Sequence, residues 1–209
     1  MNLTNLCRVC HQNSILGLND LLFSPPICVN CLKKFKRIFK IYYINGVEHL
    51  FLYEYNDFVK ELIYLYKGKY NKSLSDVFTY SEKMFLKLRY LGYTFLCAPS
   101  SIHDDIKRDF NHVEEIAKSI SLKVIKPFYK ISDWKQSSKN KEERAKIEKI
   151  IRIDYEKIKG LKKIVIIDDI YSTGSTINAC IKLIKHKCKI KVLCICKNVA
   201  KNVELFGWE

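Results

Sequence analysis

Residues 165–176, with the sequence VIIDDIYSTGST, carry residue types that could bind a phosphorylated ligand. An apolar run ends in Asp168 and Asp169, and a short segment rich in hydroxyl groups follows. When such a segment leads from a strand into a helix, its backbone N–H groups and the helix N-terminus form an anion site at the carboxyl edge of the sheet. Gly174 lets the backbone approach the anion closely. The hydroxyl groups that could add hydrogen bonds belong to Ser172, Thr173, Ser175 and Thr176.

The two adjacent carboxylates need a different partner, because they would repel a phosphate. Carboxylates suit the hydroxyl groups of a sugar or a magnesium ion. The segment therefore predicts a sugar-phosphate ligand, with its 5′-phosphate at residues 172–176 and its diol on Asp168 and Asp169. The chain has no G-x-x-x-x-G-K-S/T run and no G-x-G-x-x-G run, so neither a P-loop nor a dinucleotide-binding fingerprint is present.

Nine cysteines fall into two groups. Near the N-terminus, two C-x2-C pairs separated by 17 residues consist of Cys7, Cys10, Cys28 and Cys31. This spacing predicts a four-thiolate zinc site that stabilises the fold and leaves no coordination position open for catalysis. Four reduced thiols without a metal are the alternative. The other five cysteines lie among apolar residues and are predicted to be small buried hydrophobic residues. No secretory signal accompanies the odd number of cysteines, which disfavours disulfides.

Length and composition fit a folded domain with a small appended module. The chain has 209 residues, 48% of them hydrophobic, which excludes a disordered chain. Charges interrupt every apolar stretch before the roughly 20 residues that a membrane-spanning helix needs. We therefore expect a soluble, cytoplasmic protein. The net charge of +15 is compatible with a polyanionic partner or with Lys-rich composition alone, and by itself leaves both interpretations open.

The distribution of charge favours a polyanion. No acidic residue lies between Asp20 and Glu48, or between Asp169 and Glu204. Single-stranded nucleic acid binds cationic grooves that also offer aromatic stacking surfaces, and aromatic residues accompany the first stretch. The alternative is that Phe35 and Phe39 belong to the core and the lysines form a solvated face. The residues of the first stretch predicted to bind nucleic acid are Lys33, Lys34, Lys36, Arg37 and Lys40.

Hydrophobic periodicity predicts the elements that position these residues. Alternating strands and helices in the second half of the chain predict an α/β fold with a parallel sheet covered on both faces. The predicted strands are 93–99, 122–128, 163–169 and 190–196, and the helices are 32–39, 57–66, 75–91, 105–120 and 175–187. Asn45-Gly46 predicts a two-residue hairpin turn. Residues 141–160 are predicted to be a charged helix or a mobile stretch. The predicted division is a zinc-binding module at 1–36, a β-hairpin connector at 37–56 and the α/β domain at 57–209.

The segment at 165–176 resembles the phosphoribosyl pyrophosphate (PRPP) motif of type I phosphoribosyltransferases, with two acids, two spacers and Thr-Gly-x-Thr-like residues in register. Together with the four cysteines, it makes the chain similar to the ComF (ComFC) competence family, which joins a zinc finger to a phosphoribosyltransferase-like domain. Weaker matches are Lys67, Ala98-Pro99 and the run Arg108, Phe110 and Asn111. Family members usually read Arg-Gly-Phe-Asn-Gln in that run, so Asp109 and His112 are departures.

The resemblance implies a ligand, a cofactor and partners. PRPP would bind with Mg2+, with Asp168 and Asp169 positioning the ribose and stabilising developing positive charge, and Ser100 and Ser101 near the pyrophosphate. His103 or His112 could act as a base, although a helix-start or surface histidine is the commoner explanation for either.

The family association implies a competence protein that handles imported single-stranded DNA beside a DNA-translocating helicase. A metabolic phosphoribosyltransferase that acts on an amine or base and a non-catalytic PRPP sensor are the other two hypotheses.

Overall fold

The computed structural model describes residues 5–14, 25–121, 123–131, 150–184 and 187–199. Much of the stretch predicted at 141–160 lies outside these residues. From 150 onwards, its described part holds a short strand and a 3-10 helix at Glu156–Ile158.

A six-stranded sheet forms the centre of the molecule, in the order β3-β4-β10-β9-β5-β6. The β3–β4 pair is antiparallel, and the other four neighbouring pairs are parallel. Two small antiparallel sheets, β1–β2 and β7–β8, flank it. The strands are β1 Asn5–Leu6, β2 Asn13–Ser14, β3 Arg37–Ile44, β4 Val47–Glu54, β5 Thr94–Cys97, β6 Val124–Ile125, β7 Phe128–Lys130, β8 Ile151–Ile153, β9 Lys163–Tyr171 and β10 Lys189–Lys197.

Helices cover both faces of the sheet, as the parallel strand pattern predicts. Val165 and Ile167 of β9 pack into one core layer with Leu62 and Ile116, while Ile164 and Ile166 pack into the other. The second layer includes residues of the helix that follows β9. The helices are α1 Val29–Leu32, α2 Asp57–Gly68, α3 Lys83–Arg89, α4 Ile102–Arg108, α5 His112–Lys118 and α6 Ser175–Leu183.

The predicted hairpin is confirmed. Asn45 and Gly46 both have positive φ, 51° and 74°, as a two-residue type I′ turn requires. β4 also pairs in parallel with β10, so residues 37–56 contribute two strands to the central sheet. The cysteine module shares the core as well, since Cys7 and Cys31 pack in the same layer as α2. The division into three segments stays a prediction, because the segments have this sheet and core in common.

The helix predicted from Leu32, Phe35 and Phe39 is wrong. α1 ends at Leu32, and Phe39 lies on β3 with a φ of 43°, beside a register shift between Arg37 and Lys40. The interpretation of Phe35 as a core residue is correct, because it is buried 4.6 Å from the Tyr53 ring. Side chains spaced three and four residues apart can also point to the core when they lie on a turn followed by a bulged strand, so this spacing did not require a helix.

Two other predicted helices are interrupted. The range 75–91 contains turns and a 3-10 helix before α3, which covers only Lys83–Arg89. The range 105–120 is two helices, because Asp109 is left-handed (φ 61°) and ends α4. The Asn111 side chain then accepts a hydrogen bond from the Glu114 N–H at 2.9 Å and begins α5.

The strand predicted at 122–128 is divided at Pro127, and the last helix is shorter than predicted. β6 pairs with β5 in the central sheet, whereas β7 pairs with β8. Pro127 separates these two strands, and its carbonyl accepts a hydrogen bond from the Asp154 N–H. α6 ends at Leu183, four residues before the predicted end at 187.

Among the described residues, no helix combines the length and apolar character needed to cross a bilayer.

Candidate functional site

The carboxyl end of β9 brings the predicted ligand-binding residues to one edge of the sheet. β5 ends at Cys97, and the Ala98 N–H donates to the Ile167 carbonyl at 2.9 Å. β9 continues past this point through Asp168 and Asp169, and the turn to α6 follows. Because β5 and β9 are parallel, the segment after β5, with Ser100 and Ser101, leaves the sheet at the same edge.

Asp169 is a buried carboxylate, 6% exposed, held by residues from two helices. The Lys67 ammonium, at the end of α2, contacts its Oδ2. Nε2 of His112, at the start of α5, lies 3.8 Å from its Oδ1. Burial alone would raise the pKa of Asp169, but the positive charge of Lys67 and the contact with His112 hold it well below its ordinary value. Asp169 is therefore the ionised member of the acid pair.

Asp168 is less buried than Asp169, and its pKa is shifted in the opposite direction. Burial and the negative charge of Asp169 raise the pKa of Asp168 to about 8. Its Oδ1 accepts a hydrogen bond from the Asp169 N–H at 2.9 Å. Near neutral pH the pair thus carries about one negative charge. A cation or a set of sugar hydroxyls presented to Asp168 would favour its ionised form.

The turn between β9 and α6 has the geometry of an anion-binding loop. Gly174 begins α6 with φ 74°, a conformation that glycine adopts without strain. A β-carbon at this position would collide with the Tyr171 ring. The hydroxyls of Thr173 and Ser175 lie 2.7 Å apart, and Thr173 Oγ1 accepts the Ser175 N–H at 3.4 Å. Glycine at the N-cap adds no side-chain acceptor for the following N–H groups of α6. The start of this helix therefore suits an external anion.

Ser100 belongs to a polar network centred on Asp105. The Ser100 hydroxyl donates to the Asp105 carboxylate, and the Asn111 amide donates to both, at 2.7 Å to Ser100 and 2.6 Å to Asp105. Arg108 completes the network with a bond of 2.7 Å to Asp105. The neighbouring Ser101 hydroxyl accepts the Asp104 N–H at 3.3 Å and caps α4. Sequence reasoning missed Asp105, although an acid three residues before Arg108 is a recognisable helical pair.

The two departures from the family run have structural explanations. Asp109 stands at φ 61°, where glycine is unstrained and aspartate is tolerated. His112 is buried, and burial and the nearby charge of Lys67 lower its pKa. The structure therefore separates the two histidines considered as bases. His112 is a neutral neighbour of Asp169, whereas His103 is an exposed side chain on α4, 3.7 Å from Asp104.

The four N-terminal cysteines form a cluster that could hold a structural metal. Their sulfur atoms all lie within 4.8 Å of one another, and those of Cys10 and Cys28 are 3.8 Å apart. Zinc–sulfur distances of about 2.3 Å in a tetrahedron separate the sulfurs by about 3.8 Å, so the residues fit this group. Burial opposes ionisation of Cys7, yet N–H groups including that of Cys28, 3.3 Å from its sulfur, lower its pKa to about 6.

All five residues of the predicted nucleic-acid cluster at 33–40 are exposed. Two of them face acids: Arg37 lies 2.7 Å from Glu82, and Lys36 lies 3.9 Å from Glu54. β3 is an edge strand, separated from β9 by β4 and β10, which amounts to about 14 Å across the sheet. Arg37 pairs with Tyr53 of β4, which lies level with Ile170 of β9 through β10, so the cluster begins at the same edge of the sheet as the carboxyl end of β9.

Some lysines of the second acid-free stretch, between Asp169 and Glu204, have contacts that stabilise the fold. Lys191 pairs with Glu48 at 3.1 Å, and Lys197 is buried over the Tyr42 ring at 4.4 Å. A run without nearby acids in the sequence therefore does not guarantee free surface charge, because Glu48 comes from a neighbouring strand. Lys185 and Lys201 lie outside the described residues.

Comparison with known proteins gives two curated relatives. Competence protein ComFC of Streptococcus pneumoniae is 34% identical over 68% of this chain and 63% of its own length. Competence protein ComFC of Bacillus subtilis is 26% identical over 66% of this chain and 58% of its own. The match thus spans less than two thirds of either relative. A hypoxanthine phosphoribosyltransferase structure from Staphylococcus aureus aligns over 62% of this chain and 66% of its own, with 15% identity and a TM-score of 0.35. No protein-family model matches.

Fold and site first define an α/β protein with a mostly parallel sheet, preceded by a four-cysteine cluster. The similarity to the two curated relatives makes the assignment specific. The chain belongs to the ComFC family of competence proteins.

The protonated state of Asp168 predicts a pH-dependent stability effect. The unfolded chain loses the Asp168 proton near its ordinary pKa of 3.8, whereas the folded protein keeps it up to a pKa of about 8. Between about pH 4 and 8 the folded state therefore binds one proton more than the unfolded state. Asp168 thus lowers stability increasingly as the pH rises through this range. Asp168→Asn removes that penalty, so its Tm advantage over wild type should grow from pH 5 to 8 and then level off.

Thermal unfolding of wild type and Asp168→Asn across this pH range checks the prediction. Glu61→Gln is the matched control, because Glu61 is an exposed carboxylate on α2. Any pH-dependent change in Tm that Glu61→Gln also shows is subtracted from the change measured for Asp168→Asn. A Tm difference between wild type and Asp168→Asn that is constant from pH 5 to 8 would contradict the raised pKa.

Proposed function

We propose that this chain acts in natural transformation, handling imported single-stranded DNA in the cytoplasm with a PRPP-binding, phosphoribosyltransferase-like domain. Two relatives that bear the name competence protein ComFC support the biological role. The observation that carries the ligand proposal is the carboxyl end of β9. There an acid pair of unequal pKa stands directly before an unstrained glycine turn and a helix N-terminus.

PRPP fits this edge because its groups match the residues in order. The N–H groups and hydroxyls of residues 172–176 receive the 5′-phosphate. Asp168, the partly exposed acid, receives the ribose hydroxyls, while Asp169 keeps its charge through Lys67. Ser100, held by Asn111 and Asp105, faces the pyrophosphate side. Bound Mg2+ would neutralise the pyrophosphate charge that these residues do not offset.

A phosphoribosyl transfer reaction is the second candidate, and one cavity favours it. A space of about 290 Å3 opens beside Ser100 and is lined by Asn111, Phe128 and Tyr129, among others. Its size and mixed lining suit a small acceptor such as an amine or base. In such a reaction the negative charge of Asp169, with Asp168 once it is ionised, would stabilise the positive charge that develops on the ribose.

The exposed lysines at 33–40 support the single-strand proposal. Lys34 lies over the Phe58 ring at 5.5 Å, and Lys40 lies over Tyr42 at the same distance. Cations beside aromatic rings are the elements with which proteins hold phosphates and bases of single strands. A DNA-translocating helicase of the uptake machinery is the proposed protein partner, since it would deliver such a strand.

The four-cysteine cluster predicts bound zinc with a structural role. Purified protein should carry about one zinc per chain by elemental analysis, and a chelator should unfold the N-terminal segment. Cys10→Ser should lower both zinc content and Tm, because three thiolates bind less tightly. Cys188→Ser is the control, since Cys188 is a partly buried cysteine outside the cluster. Retention of full Tm after complete metal removal would contradict the structural role.

The basic cluster predicts salt-dependent binding of single strands. Each phosphate contact contributes about −0.7 to the slope of log affinity against log salt for single strands. Lys33→Glu/Lys34→Glu/Lys40→Glu should therefore weaken binding of a labelled oligo-dT and reduce the magnitude of this slope by about 2. Fluorescence anisotropy at several salt concentrations measures it.

A matched control reverses the same number of charges elsewhere. Lys87, Lys123 and Lys162 are exposed and lie outside the cluster. Lys87→Glu/Lys123→Glu/Lys162→Glu has the same net charge as the test variant. Equal losses in the two variants would mean that the 33–40 cluster makes no specific contact. Absence of salt-dependent binding by the wild type would overturn the DNA-handling proposal itself.

A further inference from the structure

A second cleft lies between α2 and α4, on the side of α2 that carries Lys67. It encloses about 450 Å3 and is open to solvent. We call it the α2–α4 cleft. Its lining residues are Tyr55, Lys60, Ile63, Tyr64, Lys67, Gly68, Tyr70, Asp104, Lys107 and Arg108. Neither the predicted PRPP residues nor the 33–40 cluster contribute to this lining.

The cleft has a small net positive charge. Four cations and a single acid line it. Two of the cations are neutralised from outside the lining, Lys67 by Asp169 and Arg108 by Asp105. The other two, Lys60 on α2 and Lys107 on α4, are exposed, and neither forms an ion pair with another of the described residues. Two helices thus present unneutralised ammonium groups to the same space, which suits phosphate groups.

Aromatic rings form part of the cleft wall. Tyr64 is 57% exposed and Tyr70 is 42% exposed, so part of each side chain is accessible to a ligand. The Lys69 ammonium lies over the Tyr64 ring, 5.9 Å from its centroid. Tyr70 also has a φ of 59°, a left-handed conformation that is rare and strained for a large side chain. A glycine would adopt this conformation without cost, so the fold alone does not favour tyrosine here. Strain of this kind is concentrated at binding sites.

We propose that the α2–α4 cleft binds nucleotide units of a single DNA strand, with phosphates on Lys60 and Lys107 and bases stacked on Tyr64 and Tyr70. This inference rests on the proposed function and assigns to it a second contact surface, remote in sequence from residues 33–40. The shared chemistry of phosphate and base would also admit a free nucleotide. Two exposed rings and two cations on separate helices favour consecutive units of a strand over one small molecule.

Fluorescence anisotropy of a labelled 12-nucleotide oligo-dT tests the proposal on the full chain. Lys60→Glu/Lys107→Glu should weaken binding and reduce the magnitude of the salt slope by about 1.4, the value for two phosphate contacts. The matched control is Lys87→Glu/Lys123→Glu, which changes the net charge equally at exposed positions outside the cleft. Binding by the cleft variant that equals binding by the control would overturn the proposal.

Tyr70→Gly separates a binding role from a structural one. It removes the ring and relieves the positive φ, so the Tm should be maintained or rise while oligo-dT affinity falls about fivefold or more, the range for one lost stacking contact. Unchanged affinity would contradict a stacking role. Displacement of the oligonucleotide by micromolar dTMP would assign the cleft to a free nucleotide and overturn the strand proposal.

The outcomes distinguish this inference from the function on which it rests. If the wild type fails to bind oligo-dT, the proposed function fails. If the wild type binds and only the Lys33→Glu/Lys34→Glu/Lys40→Glu variant loses affinity, the proposed function stands and the cleft assignment fails. Loss of affinity in both sets of variants supports both.

Discussion

The buried negative charge of Asp169 is the constraint on which the carboxyl edge of the sheet depends. A carboxylate that is 6% exposed is stable only with a nearby positive charge or hydrogen-bond donors. Lys67 supplies that charge from the last turn of α2, where the helix dipole also favours a cation. Because Asp169 remains ionised, its neighbour Asp168 is held protonated near neutral pH. One ion pair thereby sets the charge state of the whole acid pair.

The packing of α2 links this ion pair to the rest of the molecule. Val59, Leu62 and Tyr66 bury one face of α2 against the sheet, and Asn56 caps its start. The same core layer includes Cys7 and Cys31 of the four-cysteine cluster. The four-cysteine cluster and the helix that carries Lys67 thus share one core layer. The opposite side of α2 contributes Lys60 and Tyr64 to the α2–α4 cleft, so this helix contacts both proposed ligand surfaces.

Local features of the sequence predicted much of this arrangement. The run of apolar residues before Asp168, the Asn45-Gly46 turn and the C-x2-C pairs depend on neighbours in the chain, and the structure has β9, the hairpin and the cysteine cluster where the sequence indicates. The partner of Asp169 was not predictable in the same way. Lys67 is about a hundred positions away, and its role follows only from the packing of α2 against the sheet.

The errors have the same physical origin. Phe39 has helical spacing from Leu32 but packs against Phe85, 4.9 Å away, from a bulged strand. The sequence suggests that Arg37 is a free cation, whereas the fold brings Glu82 within 2.7 Å of it. α4 ends at Asp109 because this residue adopts a left-handed conformation. The pattern of apolar residues does not indicate such a conformation. The periodicity of apolar residues indicates which side chains are buried, whereas helix ends and ion pairs depend on tertiary structure.

Calorimetric titration of magnesium-PRPP most directly tests the proposed sugar-phosphate site, since the acid pair and the glycine turn form its centre. The wild type should bind, and both Asp168→Asn/Asp169→Asn and Gly174→Ala should lose binding. Gly160→Ala should retain it: Gly160 also has positive φ, 75°, but a β-carbon there meets nothing within 4 Å. Absence of wild-type binding, or equal binding by the Asp168→Asn/Asp169→Asn variant, would contradict a sugar-phosphate site at the end of β9.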